Sequence, residues 1–167
     1  MRIELREYTL DDAKALSAMA NDYDVSKSLR DIFPYPYTEE DATKFLEFVT
    51  KLPPESGIEF AIMVDGEFAG AIGMTFSTDI YRKTAEIGYW LGKPYWQRGI
   101  IGNAIKMICT YTFENFPIHK ITAEVFANNI ASQKALEKNG FVLEGTCKEH
   151  VFKEEQYYDV KLYGICK

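Results

Sequence analysis

Two stretches of the chain carry residue types able to do chemistry at a useful spacing. The first is Ala85-Glu86-Ile87-Gly88-Tyr89-Trp90-Leu91, followed by Pro94-Tyr95-Trp96-Gln97-Arg98-Gly99-Ile100-Ile101-Gly102. It reads as a strand, a short glycine-bearing turn and the start of a helix. Unbonded N–H groups and the positive dipole end make a helix start a seat for an anion. Glycine at 99 lets the backbone approach a diphosphate with no Cβ in the way. No Gly-Lys-Ser/Thr follows, and Gly-x-Gly-x-x-Gly is not matched, so this is neither a nucleotide P-loop nor a dinucleotide fingerprint. The second stretch runs from Asn129 to Phe141. Asn129, Ser132 and Leu136 fall on one helical stripe, which turns two polar side chains toward the same neighbour. A capping role explains Asn129 equally well.

The elements that must hold these stretches can be read from periodicity and punctuation. Arg2–Tyr8 alternates as a strand. Thr9-Leu10-Asp11-Asp12 resembles a capping box opening a helix to about Asn21, and Val25–Arg30 has helical character. Two prolines in Phe33-Pro34-Tyr35-Pro36-Tyr37 forbid regular structure there. Thr38-Glu39-Glu40-Asp41 caps an amphipathic helix that Pro53-Pro54 ends. Glu59–Val64 and Phe68–Phe76 flank Asp65-Gly66, a tight hairpin turn, and Lys83–Leu91 is a third strand. Then follow a helix over Gly99–Phe113, a strand over Lys120–Phe126, a helix over Asn129–Lys138 stopped by Asn139-Gly140, and a hairpin of Phe141–Phe152 with Gln156–Ile165. A strand meander followed by strand–helix–strand–helix predicts a mixed α/β sheet with a parallel βαβ crossover near its middle.

Composition narrows the function classes. At 167 residues, 47% hydrophobic and 26% charged, the chain fits one soluble domain over residues 1–167, with no repeat or linker. A net charge of −6 argues against nucleic acid and favours a cationic or neutral partner. The charged N-terminus does not read as a signal peptide, and no apolar run approaches the ~20 residues of a membrane helix. Cys109, Cys147 and Cys166 are odd in number and widely spaced, which predicts free thiols in a reducing compartment. Cys109 reads as core filling. His119 and His150 have no partner at ligand spacing, so no metal site is expected.

Taken together, "AEIGYWL…PYWQRGIIGNAI" and "ITAEVFANNIASQKALEKNGFVLEG" resemble the GNAT superfamily of N-acetyltransferases. The likeness is closest to its branch of ribosomal-protein N-terminal acetyltransferases and their small-molecule relatives, and it covers essentially the whole chain. It implies a single GNAT-type domain whose central twisted mixed sheet is flanked by helices. It further implies acetyl-CoA as acetyl donor, no metal, and a small-molecule amine or peptide N-terminus as acceptor. A cytoplasmic location without membrane attachment goes with this, and a homodimer is left open. The resemblance implies that backbone amides around Gln97, Arg98, Gly99, Ile100, Ile101, Gly102 and Asn103 hold the CoA pyrophosphate. By the same likeness, the strand end at Tyr89, Trp90 and Leu91 bulges and pairs with the pantetheine arm, beside which lie Asn129 and Ser132. Two positions depart from the pattern. Ile101 is bulkier than the usual Gly or Ala and must point away from the diphosphate. Leu136 stands where many members place a tyrosine that protonates the leaving thiolate.

Acetyl transfer needs a neutral amine, a polarised carbonyl and a proton for the thiolate. Glu86, on the same strand face as Gly88 and Trp90, is the expected base; its structural alternative is a pair with Arg82 or Lys83. An amide within Tyr89–Leu91 would stabilise the oxyanion, and the acid on the thiolate side is Ser132, another residue or water. Phe33, Tyr35 and Tyr37 are the candidate acceptor-binding aromatics, with Asp31, Glu39, Glu40 and Asp41 drawing a cation. The competing reading is a non-catalytic acyl-CoA-binding or interaction domain with the same fold.

Overall fold

The computed structural model describes all residues from 1 to 167. Seven strands form one sheet: β1 (Ile3–Arg6), β2 (Gly57–Val64), β3 (Glu67–Phe76), β4 (Thr84–Leu91), β5 (Lys120–Phe126), β6 (Val142–Lys153) and β7 (Gln156–Cys166), in the order β1-β2-β3-β4-β5-β7-β6. Every neighbouring pair is antiparallel except β4 and β5, which run parallel. The expected mixed sheet and crossover are therefore present.

The helices are α1 (Ala13–Ala20), α2 (Tyr23–Ser26), α3 (Glu39–Val49), α4 (Ile100–Asn115) and α5 (Ile130–Lys138). Alternation along the strands sends side chains to two separate cores. Ile72, Met74, Ile87 and Ile121 pack with Ile105 and Ile108 of α4 and Leu136 of α5. On the opposite face Ala61, Met63 and Ala71 pack with Leu16 of α1 and Leu46 of α3. Apolar residues buried on both faces hold the middle strands from both sides. No helix is long and apolar enough to cross a membrane.

Local chemistry explains most boundaries. Asp65 and Gly66 both have positive φ, 51° and 87°, as the two-residue turn between β2 and β3 demands. Thr38 and Asp41 bond each other's backbone reciprocally at the start of α3. Three expectations shift. The first strand stops at Arg6. Its helix begins as a 3₁₀ turn over Leu10–Asp12 before α1. The helical stretch expected at Val25–Arg30 is instead the single turn Tyr23–Ser26, placed there by Asp22, whose carboxylate accepts from the Asp24 N–H at 2.8 Å. That cap lies upstream of the run that periodicity had marked.

Candidate functional site

The parallel strands separate soon after they meet. β4 and β5 pair only at Thr84↔Lys120, Ala85↔Ile121 and Glu86↔Thr122. Beyond Glu86, β4 stays registered on β3 as far as Gly70↔Leu91, while β5 follows β7 along its whole length. Each strand keeps its antiparallel partner, and a gap opens between them. The register also fixes which backbone groups face the gap. Ser77 N–H bonds Thr84 O at 3.0 Å and Gly92 N–H bonds Ala69 O at 2.8 Å. Hydrogen-bonded positions alternate along an antiparallel ladder, so even-numbered residues of β4 point their amides at β3. Tyr89 and Leu91 point theirs into the gap. The Leu91 carbonyl accepts the Trp96 indole N–H at 2.7 Å, which leaves the Tyr89 pair and the Leu91 N–H.

The bulge expected at Tyr89–Leu91 is absent. The β3–β4 register is unbroken, and the irregularity lies instead between β2 and β3, at Ile62/Met63. The gap needs no bulge because β5 diverges, not β4.

At the head of the gap the chain turns into α4. Gln97 (φ 59°) and Gly99 (φ 72°) are both left-handed, and no side chain caps the helix. The first helical bond is Asn103 N–H to Gly99 O at 3.3 Å. The six consecutive N–H groups from Gln97 to Gly102 meet no acceptor in the chain. A turn of alternating handedness followed by an uncapped helix is a concavity of amides suited to an anion. The Asn103 side chain turns back to the Gly99 carbonyl at 3.0 Å, which stiffens the turn. Ile101 packs against the core. The Arg98 guanidinium lies 5.8 Å from the centre of the Tyr95 ring.

On the far bank, α5 caps itself. Asn129 Oδ1 accepts the Ser132 N–H at 3.2 Å, so this side chain is spoken for as an N-cap. The Ser132 hydroxyl lies 2.7 Å from the Tyr89 hydroxyl. Burial pushes the Tyr89 phenol up to about 12, and the serine contact opposes that shift. Leu136, one turn on from Ser132 along the same stripe, is fully buried in the core. Asn139 Nδ2 donates to Gly102 O at 3.0 Å and fixes the end of α5 against the start of α4.

The opposite face of β4 carries Glu86, Gly88 and Trp90. Glu86 accepts from Arg30 at 2.7 Å, and Arg30 also approaches Glu124 at 3.9 Å. The basic partner is thus neither Arg82 nor Lys83 but a residue from the segment after α2. Phe33 packs on Trp90 with ring centres 5.4 Å apart. Tyr35 is exposed against Tyr23. Tyr37 is 6% exposed and packs in the core, unlike Tyr35. The expected acidic attraction is also largely used up. Asp31 pairs with Lys153 at 2.9 Å, Glu40 with Lys44 at 2.9 Å, and Asp41 serves the α3 cap. A groove of about 250 Å³ leads away past Arg30, Asp31, Phe126 and Phe152.

No sequence pattern singled out Glu59, yet it belongs to this face. It lies on β2 opposite Gly73, which lies opposite Gly88 on β4. Its carboxyl covers Gly73 so closely that a methyl group added there would collide with it. Burial raises it to about 7. The available signal was an acid in phase with the inward-facing Ala61 and Met63.

A gap edged by unpaired strand amides and headed by an uncapped helix offers donors suited to an extended, anion-bearing ligand. A family model described as an acetyltransferase (GNAT) domain matches residues 2–142. The ribosomal-protein-serine acetyltransferase of Escherichia coli is 30% identical over 76% of this chain and 71% of its own length. The putative ribosomal N-acetyltransferase YdaF of Bacillus subtilis is 30% identical over 67% of this chain, which spans 61% of that protein. Among solved structures, the microcin C7 self-immunity acetyltransferase MccE, in complex with acetyl-CoA and AMP, superposes with a TM-score of 0.85 at 25% identity, covering 99% of this chain and 92% of that one. RimL, a ribosomal L7/L12 α-N-protein acetyltransferase in complex with coenzyme A, has the same fold, with a TM-score of 0.88 at 24% identity over 98% of this chain and 93% of that one. The chain belongs to the GNAT family of acetyltransferases. It is an N-acetyltransferase, as the family reading of its sequence anticipated.

Proposed function

We propose that the chain transfers the acetyl group of acetyl-CoA to the primary amine of a peptide N-terminus, by direct attack of the amine on the thioester. The observation that carries this reading is the run of six unbonded N–H groups from Gln97 to Gly102 beside the free edge of β4. Acetyl-CoA supplies an activated carbonyl when bound. The amides from Gln97 to Gly102 hold its diphosphate, with Asn103 bracing the turn. The free amides of Tyr89 and Leu91 bond the pantetheine arm and the thioester oxygen, and donors preset in a water-poor site are the largest usual contribution to acyl transfer. Trp90 walls the acceptor side. Asn129 acts indirectly, by fixing the start of α5 beside the arm.

Glu86 takes the proton that the acceptor ammonium must shed. Arg30 holds it in the free protein, but that guanidinium is 71% exposed, and an exposed pair of this kind is worth only about 0–1 kcal/mol. An arriving cation displaces it. The Ser132–Tyr89 hydroxyl pair donates to the departing sulfur, in place of the tyrosine that Leu136 supplants. Phe33 lines the acceptor entrance with Trp90, and Tyr35 lies further out.

The peptide acceptor is supported by relatives named for ribosomal proteins, one of them for serine. Residues 1–167 work as one domain, and the three free cysteines favour a cytoplasmic setting. The test is thiol release from acetyl-CoA with a panel of peptides starting in Ser or Ala, a polyamine, an aminoglycoside and a free amino acid. Release driven by the peptides is expected. Release driven by none of the amines would sink the proposal.

A further inference from the structure

A row of three residues crosses the sheet on the acceptor face. Glu59 on β2 stands opposite Gly73 on β3, and Gly73 stands opposite Gly88 on β4. Neighbouring strands lie roughly 4.8 Å apart, so the two glycines leave a strip of bare backbone about two strands wide. Half of that strip is filled, because the Glu59 carboxyl lies directly over Gly73. The other half is empty: a Cβ built on Gly88 meets nothing within 4 Å. The rim of this empty half is Glu59 on one side, Glu86 and Trp90 along β4, and the gap toward β5 on the other.

Of the two carboxyls on this rim, Glu86 is paired with Arg30 and Glu59 has no partner. Glu59 is half-buried and makes no hydrogen bond or ion pair within the chain. The Tyr8 hydroxyl, buried in the core on the same face, also has no partner and feels the Glu59 charge. The other titratable groups that face this region are Tyr37, the Asp12–Arg6 pair and Glu86 with Arg30. Arg6 and Arg30 are each engaged with a carboxylate of their own, so no cation serves Glu59. A carboxyl partly withdrawn from water with no cation beside it is disfavoured in its charged form.

We propose that the open floor over Gly88 seats the acceptor's reacting ammonium group, and that Glu59 is its counter-charge. The inference rests on the acetyl-transfer reading above for the chemistry that follows, but not for the binding itself. An ammonium over Gly88 is one strand's width from the Glu59 carboxyl. Along β4 it stands two residues from Glu86 and one from Tyr89, whose amide faces the gap. It therefore sits between the carboxylate that draws it in and the edge where the thioester is held. Burial raises the Glu59 carboxyl to about 7 because nothing nearby balances its charge, and a cation at this position would. A glutamate here selects primary ammonium groups over hydroxyls of the same size. Bare backbone at Gly73 and Gly88 is required on both counts, the first to admit the carboxyl and the second to admit the amine.

The probe is propylammonium chloride, titrated into the ¹⁵N-labelled protein with coenzyme A present, with propanol as neutral control. The amide signals of Gly73 and Gly88 report binding. Propylammonium is expected to shift both signals, and propanol to shift neither. Glu59→Gln should weaken propylammonium at least tenfold, the scale of a partly screened charge pair one strand's width apart. Gly88→Ala should do the same with coenzyme A affinity unchanged, since its methyl group meets no protein atom and the fold has no reason to fail. If Glu59→Gln does not fold, Gly88→Ala alone decides. Wild-type affinity for propylammonium in the folded variants, or equal shifts with propanol, would overturn the proposal. The thiol-release assay on the wild type runs in parallel. A wild type that binds propylammonium through Glu59 yet releases no thiol with any amine leaves this seat standing and removes the acetyl-transfer reading.

Discussion

The two banks of the gap are built in opposite ways. On the proposed donor bank the binding groups are mostly backbone, the unbonded amides from Gln97 to Gly102 and those of Tyr89 and Leu91, with the Ser132–Tyr89 hydroxyl pair beside them. On the acceptor bank they are side chains that converge from distant parts of the chain, namely Arg30, Phe33, Glu59, Glu86 and Trp90. Backbone donors carry partial charges that do not titrate, so they suit a ligand that never varies. Side chains can be exchanged one at a time, so they suit the part of the reaction where specificity is set. A mutation on one bank should therefore leave the other bank's affinity intact.

The sharpest way to test that separation is Glu86→Gln. It should lower kcat by roughly 10²–10⁴-fold, the range of general-base contributions, with acetyl-CoA affinity unchanged. The loss should shrink as pH rises, because free amine then becomes abundant without help. Steady-state rates between pH 6.5 and 9.5, with calorimetry for acetyl-CoA, check both halves. Equal losses in rate and cofactor affinity would merge the banks.

Gly99→Asp makes the reciprocal cut. It puts a carboxylate among the amides meant for a diphosphate, at a residue with φ 72° where added atoms meet no neighbour. Coenzyme A affinity should fall about 10–100-fold, from lost dipole attraction, added repulsion and the cost of a left-handed non-glycine residue. Propylammonium binding should not change. Calorimetry showing wild-type coenzyme A affinity would remove the Gln97–Gly102 turn from the site.

The same division decides what the sequence could disclose. The donor bank is local, so glycine at 99 and the helix that follows marked it, and the α3 cap at Thr38–Asp41 was legible for the same reason. The acceptor bank depends on pairings across the sheet. Glu59 and Gly88 are 29 positions apart and meet only through Gly73, which belongs to neither neighbourhood. Arg30 reaches Glu86 across 56 positions. A run of aromatics does not say which ring turns inward, and here it is Tyr37. The bulge expected on β4 failed for a related reason. Local sequence cannot report that β5 holds to β7 and leaves β4 with a free edge.

The smallest effect concerns stability, and it follows from the sign of one shift. Burial raises the folded Glu59 carboxyl from 4.5 to about 7. Between those values the folded protein holds a proton that the unfolded chain has released, so stability falls as pH rises from about 4.5 and levels off above about 7. Glutamine carries no such charge. Glu59→Gln should therefore match the wild type near pH 4.5 and exceed it by about 1–3 kcal/mol at pH 8, less than the full shift implies because solvent reaches the group. Urea denaturation at both pH values measures the difference. A residue kept at a cost to stability is expected where function needs it. Propylammonium sharpens the point, since at pH 8 it should stabilise the wild type and leave Glu59→Gln unmoved. A variant no more stable than the wild type at pH 8 would mean that the carboxyl already has a partner in the free protein, and the two banks would then differ less than their construction implies.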